Sequence, residues 1–176
     1  NPKADTVLNR KSYNSITHIP DKIDLAIITV PAKIVKKVML DCAEKKVKAV
    51  IIITSGFSEI GNKKLEDEIK EIALKNNIRV IGPNCLGIFD SNSLVDTLFL
   101  PKEKLGRPRT GSIGFISQSG AVGSVVLDWM SARGYGVSKF ISYGNAVDVD
   151  ESDLLEYLGE DNDTKVICMY LEGVKD

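Results

Sequence analysis

The chain has 176 residues, of which 43% are hydrophobic and 27% are charged, so it is long enough to bury the core of one large domain or two small ones. Its 23 lysine and arginine residues nearly balance its 24 aspartate and glutamate residues. This balance creates no field that would hold nucleic acid or an anionic membrane surface, and no basic block interleaved with aromatic residues occurs.

The first half of the chain alternates short β-rich runs with helical patterns. Residues 25–30 are a continuous apolar run, which predicts a strand buried on both faces of a parallel sheet. A helical pattern follows at residues 34–42, and residues 49–54 predict the next buried strand. Residues 63–75 predict an amphipathic helix, and residues 79–82 predict a third strand.

A polar stretch with two prolines separates this half from the next. It spans residues 101–110 and is the best linker candidate in the chain. We therefore expect two units, residues 1–105 and residues 106–176.

The same alternation resumes beyond the linker. Strands are predicted at residues 112–117, 138–143 and 166–171, with helices at residues 121–133 and 152–158. The first of these helices is expected to bury Val122, Val125, Val126 and Trp129. Strands that alternate with helices of this length indicate βαβ units, so the fold class is α/β with parallel sheets.

Small, polar and proline residues follow the predicted strands, at the edge where open α/β sheets bind ligands. Such residues allow backbone N–H groups to approach a ligand closely. The strand ends are Val30-Pro31, Thr54-Ser55-Gly56-Phe57, Gly82-Pro83-Asn84-Cys85, Ser117-Gln118-Ser119-Gly120 and Gly144-Asn145.

The sharpest local signal is the run Ser117-Gln118-Ser119-Gly120-Ala121, where a predicted strand enters a helix. The free N–H groups and the dipole at a helix start favour an anion, and the serine hydroxyls add hydrogen-bond donors. An ordinary N-cap, in which a serine satisfies the helix terminus, explains the same residues. Spacing alone leaves both interpretations open.

Other catalytic patterns are weak. The G-x-S-x-G spacing of a nucleophilic serine is absent, and the single histidine, His18, lies in a polar stretch, so a Ser-His-Asp hydrolase is not supported. The acidic run at residues 148–153 lacks EF-hand spacing and precedes a helix, which favours capping over cation binding. Cys85 has no base near it in sequence, which favours a buried or substrate-adjacent thiol over a nucleophile.

The cysteines indicate a reducing compartment, and the apolar runs are too short for a membrane span. Cys42, Cys85 and Cys168 are scattered and form no C-x-x-C pair, which predicts a reduced, cytoplasmic protein with no disulfide framework and no metal site. No apolar run approaches the roughly 20 residues that a membrane span requires. Because the chain opens on Asn1 without a methionine and closes just after an apolar run, we expect it to be part of a longer protein.

Several short stretches of the chain occur in the same order as in a known protein family, and together they are specific for that family. The chain resembles the CoA-binding subunit of the NDP-forming acyl-CoA synthetases: the α part of ADP-forming acetyl-CoA synthetase and, more distantly, of succinyl-CoA synthetase. The matching stretches are Asn1-Pro2-Lys3, residues 23–31, Thr54-Ser55-Gly56-Phe57, residues 81–87, residues 115–121, Gly144-Asn145 with Asp148-Val149-Asp150, and Leu171-Glu172-Gly173.

The resemblance implies a fold and a reaction. It implies a truncated Rossmann-like CoA-binding domain, without its N-terminal strand and glycine-rich loop, followed by the first part of a flavodoxin-like ligase domain. In the family, acyl-CoA and phosphate give an acyl phosphate, and the phosphoryl group passes to a histidine and then to a nucleoside diphosphate. Ser124 stands where succinyl-CoA synthetase has a substrate-contacting tyrosine, so acetyl-CoA is expected rather than succinyl-CoA.

The resemblance also assigns the site residues. Those expected to bind coenzyme A are Lys3, Val30, Pro31, Thr54, Ser55, Gly56, Asn84 and Cys85. Those expected to bind phosphate are Ser117, Gln118, Ser119, Gly120 and Ala121. Glu172 matches the catalytic glutamate that hydrogen-bonds the phosphorylated histidine, and that histidine would lie beyond residue 176.

Partners follow from the same resemblance. We expect CoA and a small acyl group, phosphate, and Mg-ADP or Mg-ATP bound through an ATP-grasp subunit or domain outside this sequence, in an oligomer without nucleic acid or membrane. Two alternatives stay open: a CoA-binding regulatory region of a protein lysine acetyltransferase, and a stand-alone CoA- or nucleotide-binding module.

Overall fold

The computed structural model describes residues 3–174. No helix among these residues is long and apolar enough to cross a bilayer. Their strands are β1 (Thr6–Val7), β2 (Arg10–Lys11), β3 (Leu25–Ile28), β4 (Ala49–Ile52), β5 (Arg79–Ile81), β6 (Gly87–Asp90), β7 (Val95–Asp96), β8 (Arg109–Ser117), β9 (Gly136–Ser142) and β10 (Val166–Tyr170). Their α-helices are α1 (Ala32–Glu44), α2 (Lys63–Asn76), α3 (Gly120–Ala132) and α4 (Glu151–Glu160). The fold class is α/β, as predicted.

The first sheet consists of β3, β4 and β5, which pair in parallel in that order. Helices α1 and α2 connect these strands and contact each other. They bury Val35, Met39, Ile69 and Ile72 in one cluster with the inward side chains of the strands. The predicted strands and helices of this half are confirmed, with ends that shift by one or two residues.

Strand β3 departs from the prediction of a strand buried on both faces. Leu25 is 38% exposed and Ile27 is 47% exposed, whereas Ile28 is 2% exposed. Alternate residues of a strand point to opposite faces, and only the face that carries Ile28 packs on the core among the described residues. The prediction was therefore right for one face only.

The second sheet has the order β10-β8-β9-β6-β7. Strands β8, β9 and β10 pair in parallel, as predicted, with α3 and α4 packed on them. Strands β6 and β7 are antiparallel members of this sheet that sequence analysis missed. They are short, and their apolar pattern is too brief to separate from a loop.

Helix α3 buries a face rotated from the predicted one: Val122 and Val126 are half-buried, and Val126 packs against the core of the second sheet. Gly123, Leu127 and Met130 are its buried residues, whereas Val125 is 69% exposed and Trp129 is 51% exposed. A Cβ on Gly123 would lie 2.9 Å from the ring of Phe140 in β9, so this glycine lets the helix approach the sheet closely. The expected burial of Val125 and Trp129 is wrong because close approach at a glycine, not side-chain size, sets the rotation of the helix.

The predicted linker at residues 101–110 is packed against the second sheet. Leu105 is 1% exposed, and the Arg107 guanidinium lies 2.8 Å from the Asp96 carboxylate, with both side chains largely buried. The N–H of Gly106 donates to Asp128 in α3. β6 and β7, which precede the linker, pair in one sheet with strands that follow it, and the boundary between residues 105 and 106 stays a prediction.

The two sheets meet where residues 145–149 run beside the end of β5. The N–H groups of Asn145, Val147 and Val149 donate to Pro83, Gly82 and Val80, at 2.9, 3.0 and 3.1 Å. Asp148 accepts hydrogen bonds from the N–H of Val80 at 2.7 Å and from Arg79 at 3.0 Å. This antiparallel pairing fixes the carboxyl end of β5 against the segment that follows β9.

The acidic run in this segment has structural roles. Asp150 is the N-cap of α4, and its carboxylate accepts from the N–H groups of Ser152 and Asp153 at 3.0 and 3.2 Å. The capping interpretation is confirmed for Asp150, while Asp148 binds β5 instead.

Gly144 allows the backbone to approach Pro83 closely at this junction. We therefore expect its replacement to destabilise the fold more than replacement of Gly134. Gly144 has φ of +59°, and a Cβ there would lie 2.2 Å from the carbonyl oxygen of Pro83, whereas Gly134 has φ of +73° with nothing within 4 Å. We expect Gly134→Ala to cost about 1 kcal/mol from the left-handed backbone alone. Gly144→Ala should cost at least about 3 kcal/mol because backbone atoms must also move. Thermal unfolding of the two variants measures the difference, and equal melting temperatures would contradict it.

Candidate functional site

The carboxyl ends of the strands meet around Asn84, where three cavities adjoin. The Thr54 cavity, of about 450 Å³, is lined by Thr29, Val30, Pro31, Ala32, Ile53, Thr54, Ser55, Asn84, Cys85 and Phe99. The Ser119 cavity, of about 310 Å³, is lined by Asn84, Cys85, Leu86, Gln118, Ser119, Gly120, Ala121 and Glu172. The Asn145 cavity, of about 250 Å³, is lined by Ser58, Glu59, Asn84, Gln118, Gly144, Asn145 and Glu172. Asn84 is common to all three, and Cys85 lies between the first two.

The Thr54 cavity brings together six of the residues expected to bind CoA, namely Val30, Pro31, Thr54, Ser55, Asn84 and Cys85. The Thr54 hydroxyl donates to the carbonyl of Val30 at 2.7 Å, which ties the loops after β3 and β4 to each other. Gly56 does not line the cavity. Its φ is +110°, and a Cβ there would lie 3.1 Å from that of Ala32, so it allows the loop to lie close to the start of α1.

Phe99 is a lining residue that sequence analysis missed. It is 65% exposed at the rim of the Thr54 cavity, and its N–H donates to the carbonyl of Leu86 at 3.0 Å. No sequence signal marks it, because it follows β7 and reaches the cavity only through the pairing of β6 with β9.

The Ser119 cavity is formed by the first turn of α3. Ser119 is the N-cap and accepts from the N–H of Val122 at 3.3 Å, so the N-cap interpretation is confirmed. The N–H groups at the start of a helix have no acceptor within the helix, and Gly120 and Ala121 border the cavity. Ser117 is fully buried and lines none of the three cavities; its hydroxyl donates to the carbonyl of Ser119 at 2.7 Å and shapes the turn.

Gln118 places Glu172 at the mouth of the Ser119 and Asn145 cavities. Its side-chain oxygen accepts from the N–H of Glu172 at 2.7 Å and from that of Gly173 at 3.1 Å. Among residues 3–174, Glu172 is the only charged residue that lines the Ser119 cavity. An anion bound there would be held by N–H dipoles and the Ser119 hydroxyl, and no lining residue between 3 and 174 is a lysine or an arginine.

The Asn145 cavity contains a polar network that sequence analysis did not assign. The side-chain nitrogen of Asn145 donates to Glu59 at 2.6 Å and to Glu66 at 2.8 Å, and its oxygen accepts from Asn84 at 3.3 Å. The Glu59 carboxylate also accepts from the N–H groups of Gly56 and Phe57. Burial acts to raise the pKa of Glu59, but these hydrogen bonds outweigh it and lower the pKa below its ordinary value.

Cys85 is a buried, protonated thiol. Its Sγ donates to the carbonyl of Ile52 at 3.3 Å, and burial raises its pKa to about 12. A thiol with this pKa is not ionised at neutral pH and is a poor nucleophile. The geometry therefore agrees with a buried thiol rather than a nucleophile, and its place beside a substrate stays a prediction.

Two residues considered from the sequence lie apart from these cavities. Lys3 is exposed and lines none of the three, so its expected role stays a prediction. His18 lies exposed in the 3₁₀ turn Ile16–His18 and lines none of them.

Two family models cover most of the chain. The model of the CoA binding domain matches residues 1–90, and that of the succinyl-CoA ligase like flavodoxin domain matches residues 110–176. The chain is 48% identical to the ADP-forming acetate–CoA ligase of Methanocaldococcus jannaschii, over all of this chain and 24% of that protein. It is 44% identical to the alpha subunit of the ADP-forming acetate–CoA ligase II of Pyrococcus furiosus, over all of this chain and 38% of that subunit.

A solved structure has the same fold. It is the acetyl-coenzyme A synthetase 1 of Ca. Korarchaeum cryptofilum in complex with phosphate and ADP, with a TM-score of 0.91 and 40% identity over 99% of this chain and 37% of that one. The chain thus spans a quarter to two fifths of the length of these relatives. A CoA binding domain followed by a succinyl-CoA ligase like flavodoxin domain identifies this chain as a member of the NDP-forming acyl-CoA synthetase family.

Proposed function

We propose that this chain is the CoA-binding part of an NDP-forming acyl-CoA synthetase that acts on acetyl-CoA. The complete enzyme would convert acyl-CoA, phosphate and ADP to the free acid, CoA and ATP through an acyl phosphate and a phosphohistidine. The observation that carries this proposal is the junction of the Thr54 and Ser119 cavities at Asn84 and Cys85. A thioester that reaches this junction from one cavity would face an anion held in the other.

CoA would lie in the Thr54 cavity with its thiol end toward Cys85. Neither the N–H nor the hydroxyl of Ser55 has a hydrogen-bond partner among residues 3–174, so both are free to donate to a CoA phosphate or amide. Val30 and Pro31 supply an apolar wall, and Gly56 keeps the loop close to α1. Lys3 would approach a CoA phosphate from outside the cavity.

Phosphate would lie at the start of α3, where Gly120 and Ala121 offer N–H groups and Ser119 a hydroxyl. One phosphate oxygen attacks the thioester carbonyl carbon, the C–S bond breaks, and CoA leaves as its thiolate while the acyl phosphate forms. Ser117 shapes the turn and Gln118 lines the cavity, and the phosphate contacts expected of both stay predictions. Glu172, held by Gln118, would then orient a histidine from the rest of the protein and stabilise its charged form.

The remaining reaction needs parts that lie outside this chain. Mg-ADP or Mg-ATP would bind through an ATP-grasp part, on the same polypeptide or on a separate subunit. The chain covers 24% of one relative and 38% of a named alpha subunit, which supports a longer protein with further parts. We propose that the protein acts as an oligomer in the cytoplasm, and the free state of its three cysteines supports a reducing compartment.

The proposed CoA site predicts an effect of Lys3→Ala. In the full-length protein, loss of one cation from a phosphate contact should raise the Kd for CoA about 5-fold or more. Calorimetric titration of the wild type and of the Lys3→Ala and Lys102→Ala variants measures this, with the exposed Lys102 as the control. Titration with dephospho-CoA shows whether the 3′-phosphate is the group concerned. An unchanged Kd would remove Lys3 from the site.

The proposed phosphate site predicts an effect of Gly120→Val. A Cβ on Gly120 would have its nearest protein neighbour, Leu86, at 3.8 Å, so the valine would fit the fold but enter the cavity. Transfer of labelled phosphate from acyl phosphate to histidine in the full-length enzyme should fall about 10-fold or more with no loss of thermal stability. Gly159→Ala, on the open face of α4, is the control. Normal labelling of the Gly120→Val variant would refute the placement of phosphate.

The protonated state of Cys85 predicts its reactivity. Iodoacetamide at mildly alkaline pH should modify the exposed Cys168, whereas Cys42, with a pKa raised to about 11 by burial and the charge of Asp41, and Cys85 should react far more slowly. Peptide mapping by mass spectrometry measures the three rates. Modification of Cys85 as fast as that of Cys168 would mean that its thiol is ionised and exposed.

A further inference from the structure

The side chain of Asn145 connects three segments of the site. Its Nδ2 lies 2.6 Å from Oε2 of Glu59, 2.8 Å from Oε2 of Glu66 and 3.1 Å from the hydroxyl of Ser58. Its Oδ1 accepts from the side chain of Asn84 at 3.3 Å, and its own N–H donates to the carbonyl of Pro83 at 2.9 Å. One amide group therefore contacts the segment after β4, helix α2 and the turn after β5.

The amide keeps two carboxylates together. Glu59 and Glu66 each place one oxygen within 2.8 Å of the same nitrogen, and Glu66 is only 6% exposed. Glu66 also accepts from the N–H and the hydroxyl of Ser58, at 3.2 and 2.7 Å. Two carboxylates this close repel each other unless a hydrogen-bond donor lies between them. A buried carboxylate that loses such a donor lowers the free energy of unfolding.

The partners of the Asn145 side chain belong to the cavities on both of its sides. Glu59 accepts from the N–H groups of Gly56 and Phe57 and so holds the loop that carries Thr54 and Ser55. Asn84, at the other end, lines all three cavities. The position of the loop on the CoA side and that of Asn84 on the phosphate side therefore depend on the same amide.

We propose that Asn145 is a positioning residue that holds the Thr54–Phe57 loop and Asn84 in one geometry for CoA. This rests on the proposed function, since it names the residue that organises the same CoA site. Asn145 acts through Glu59, Glu66 and Asn84 and need not touch the ligand.

The test is the affinity of the full-length protein for CoA, measured by calorimetry. Asn145→Asp replaces the donor with a third carboxylate beside Glu59 and Glu66, near Glu172 at the edge of the same cavity, and should raise the Kd about 10-fold or more at about pH 7.5. Asn145→Ser removes the amide without adding charge and should raise the Kd less. Asn92→Asp adds the same charge at an exposed position and should leave the Kd unchanged.

Two conditions that should restore CoA affinity to the Asn145→Asp variant distinguish a positioning role from a general loss of structure. Binding of a proton would relieve the repulsion among three adjacent carboxylates, so the Asn145→Asp variant should bind CoA more tightly at about pH 5.5 than at about pH 7.5, relative to the wild type. In the Asn145→Asp/Glu66→Gln double variant, one negative charge is removed and the side chain at 66 can donate to the one at 145, so the Kd should fall clearly below that of the Asn145→Asp single variant.

The outcomes are distinct. A wild-type Kd for the Asn145→Asp variant, or a raised Kd that neither lower pH nor Glu66→Gln reduces, overturns the inference while leaving CoA binding by the wild type intact. Absence of CoA binding by the wild-type protein overturns the proposed function itself.

Discussion

The pairing of residues 145–149 with the end of β5 is the constraint on which the site depends. These hydrogen bonds, with the carboxylate of Asp148 on Val80 and Arg79, hold the loop after β9 against the turn that carries Asn84. Val147 from this loop packs in the core of the first sheet, and Ile81 from β5 packs against a cluster of the second. The carboxyl ends of strands from both sheets therefore share one edge, and the three cavities form there.

The proposed anion site carries one carboxylate and no other charge among the lining residues that the structure describes. Helix α3 presents its first turn to the Ser119 cavity, and the lining residues within 3–174 contribute N–H groups and the Ser119 hydroxyl but no cation. N–H dipoles hold an anion while it is present without the strong ion pair that would keep it there. This suits the proposed reaction, in which a phosphoryl group must be bound briefly and then passed on in either direction.

Glu59, near the proposed CoA site, is compatible with an anionic ligand because its carboxylate already accepts several hydrogen bonds. Glu59 is bonded by the N–H groups of Gly56 and Phe57 and by Asn145, and its pKa is lowered. A carboxylate with a lowered folded-state pKa stabilises the fold above its ordinary pKa, and this contribution is lost as the pH falls through the folded value. At neutral pH the loop that Glu59 holds is therefore in its stable form.

The sequence by itself determined the α/β class, the parallel strands and helices, and the strand-end residues that line the cavities, because buried apolar runs and small residues at strand ends are local patterns. Only the tertiary structure decided which face of α3 is buried, because Gly123 packs against Phe140, which is distant in sequence. It also decided that β6 and β7 join the second sheet, that Glu59 and Phe99 reach the cavities, and that Asn145 bonds Glu59. Each of these depends on hydrogen bonds or contacts between segments that are far apart along the chain, and no periodicity within one segment encodes such a contact.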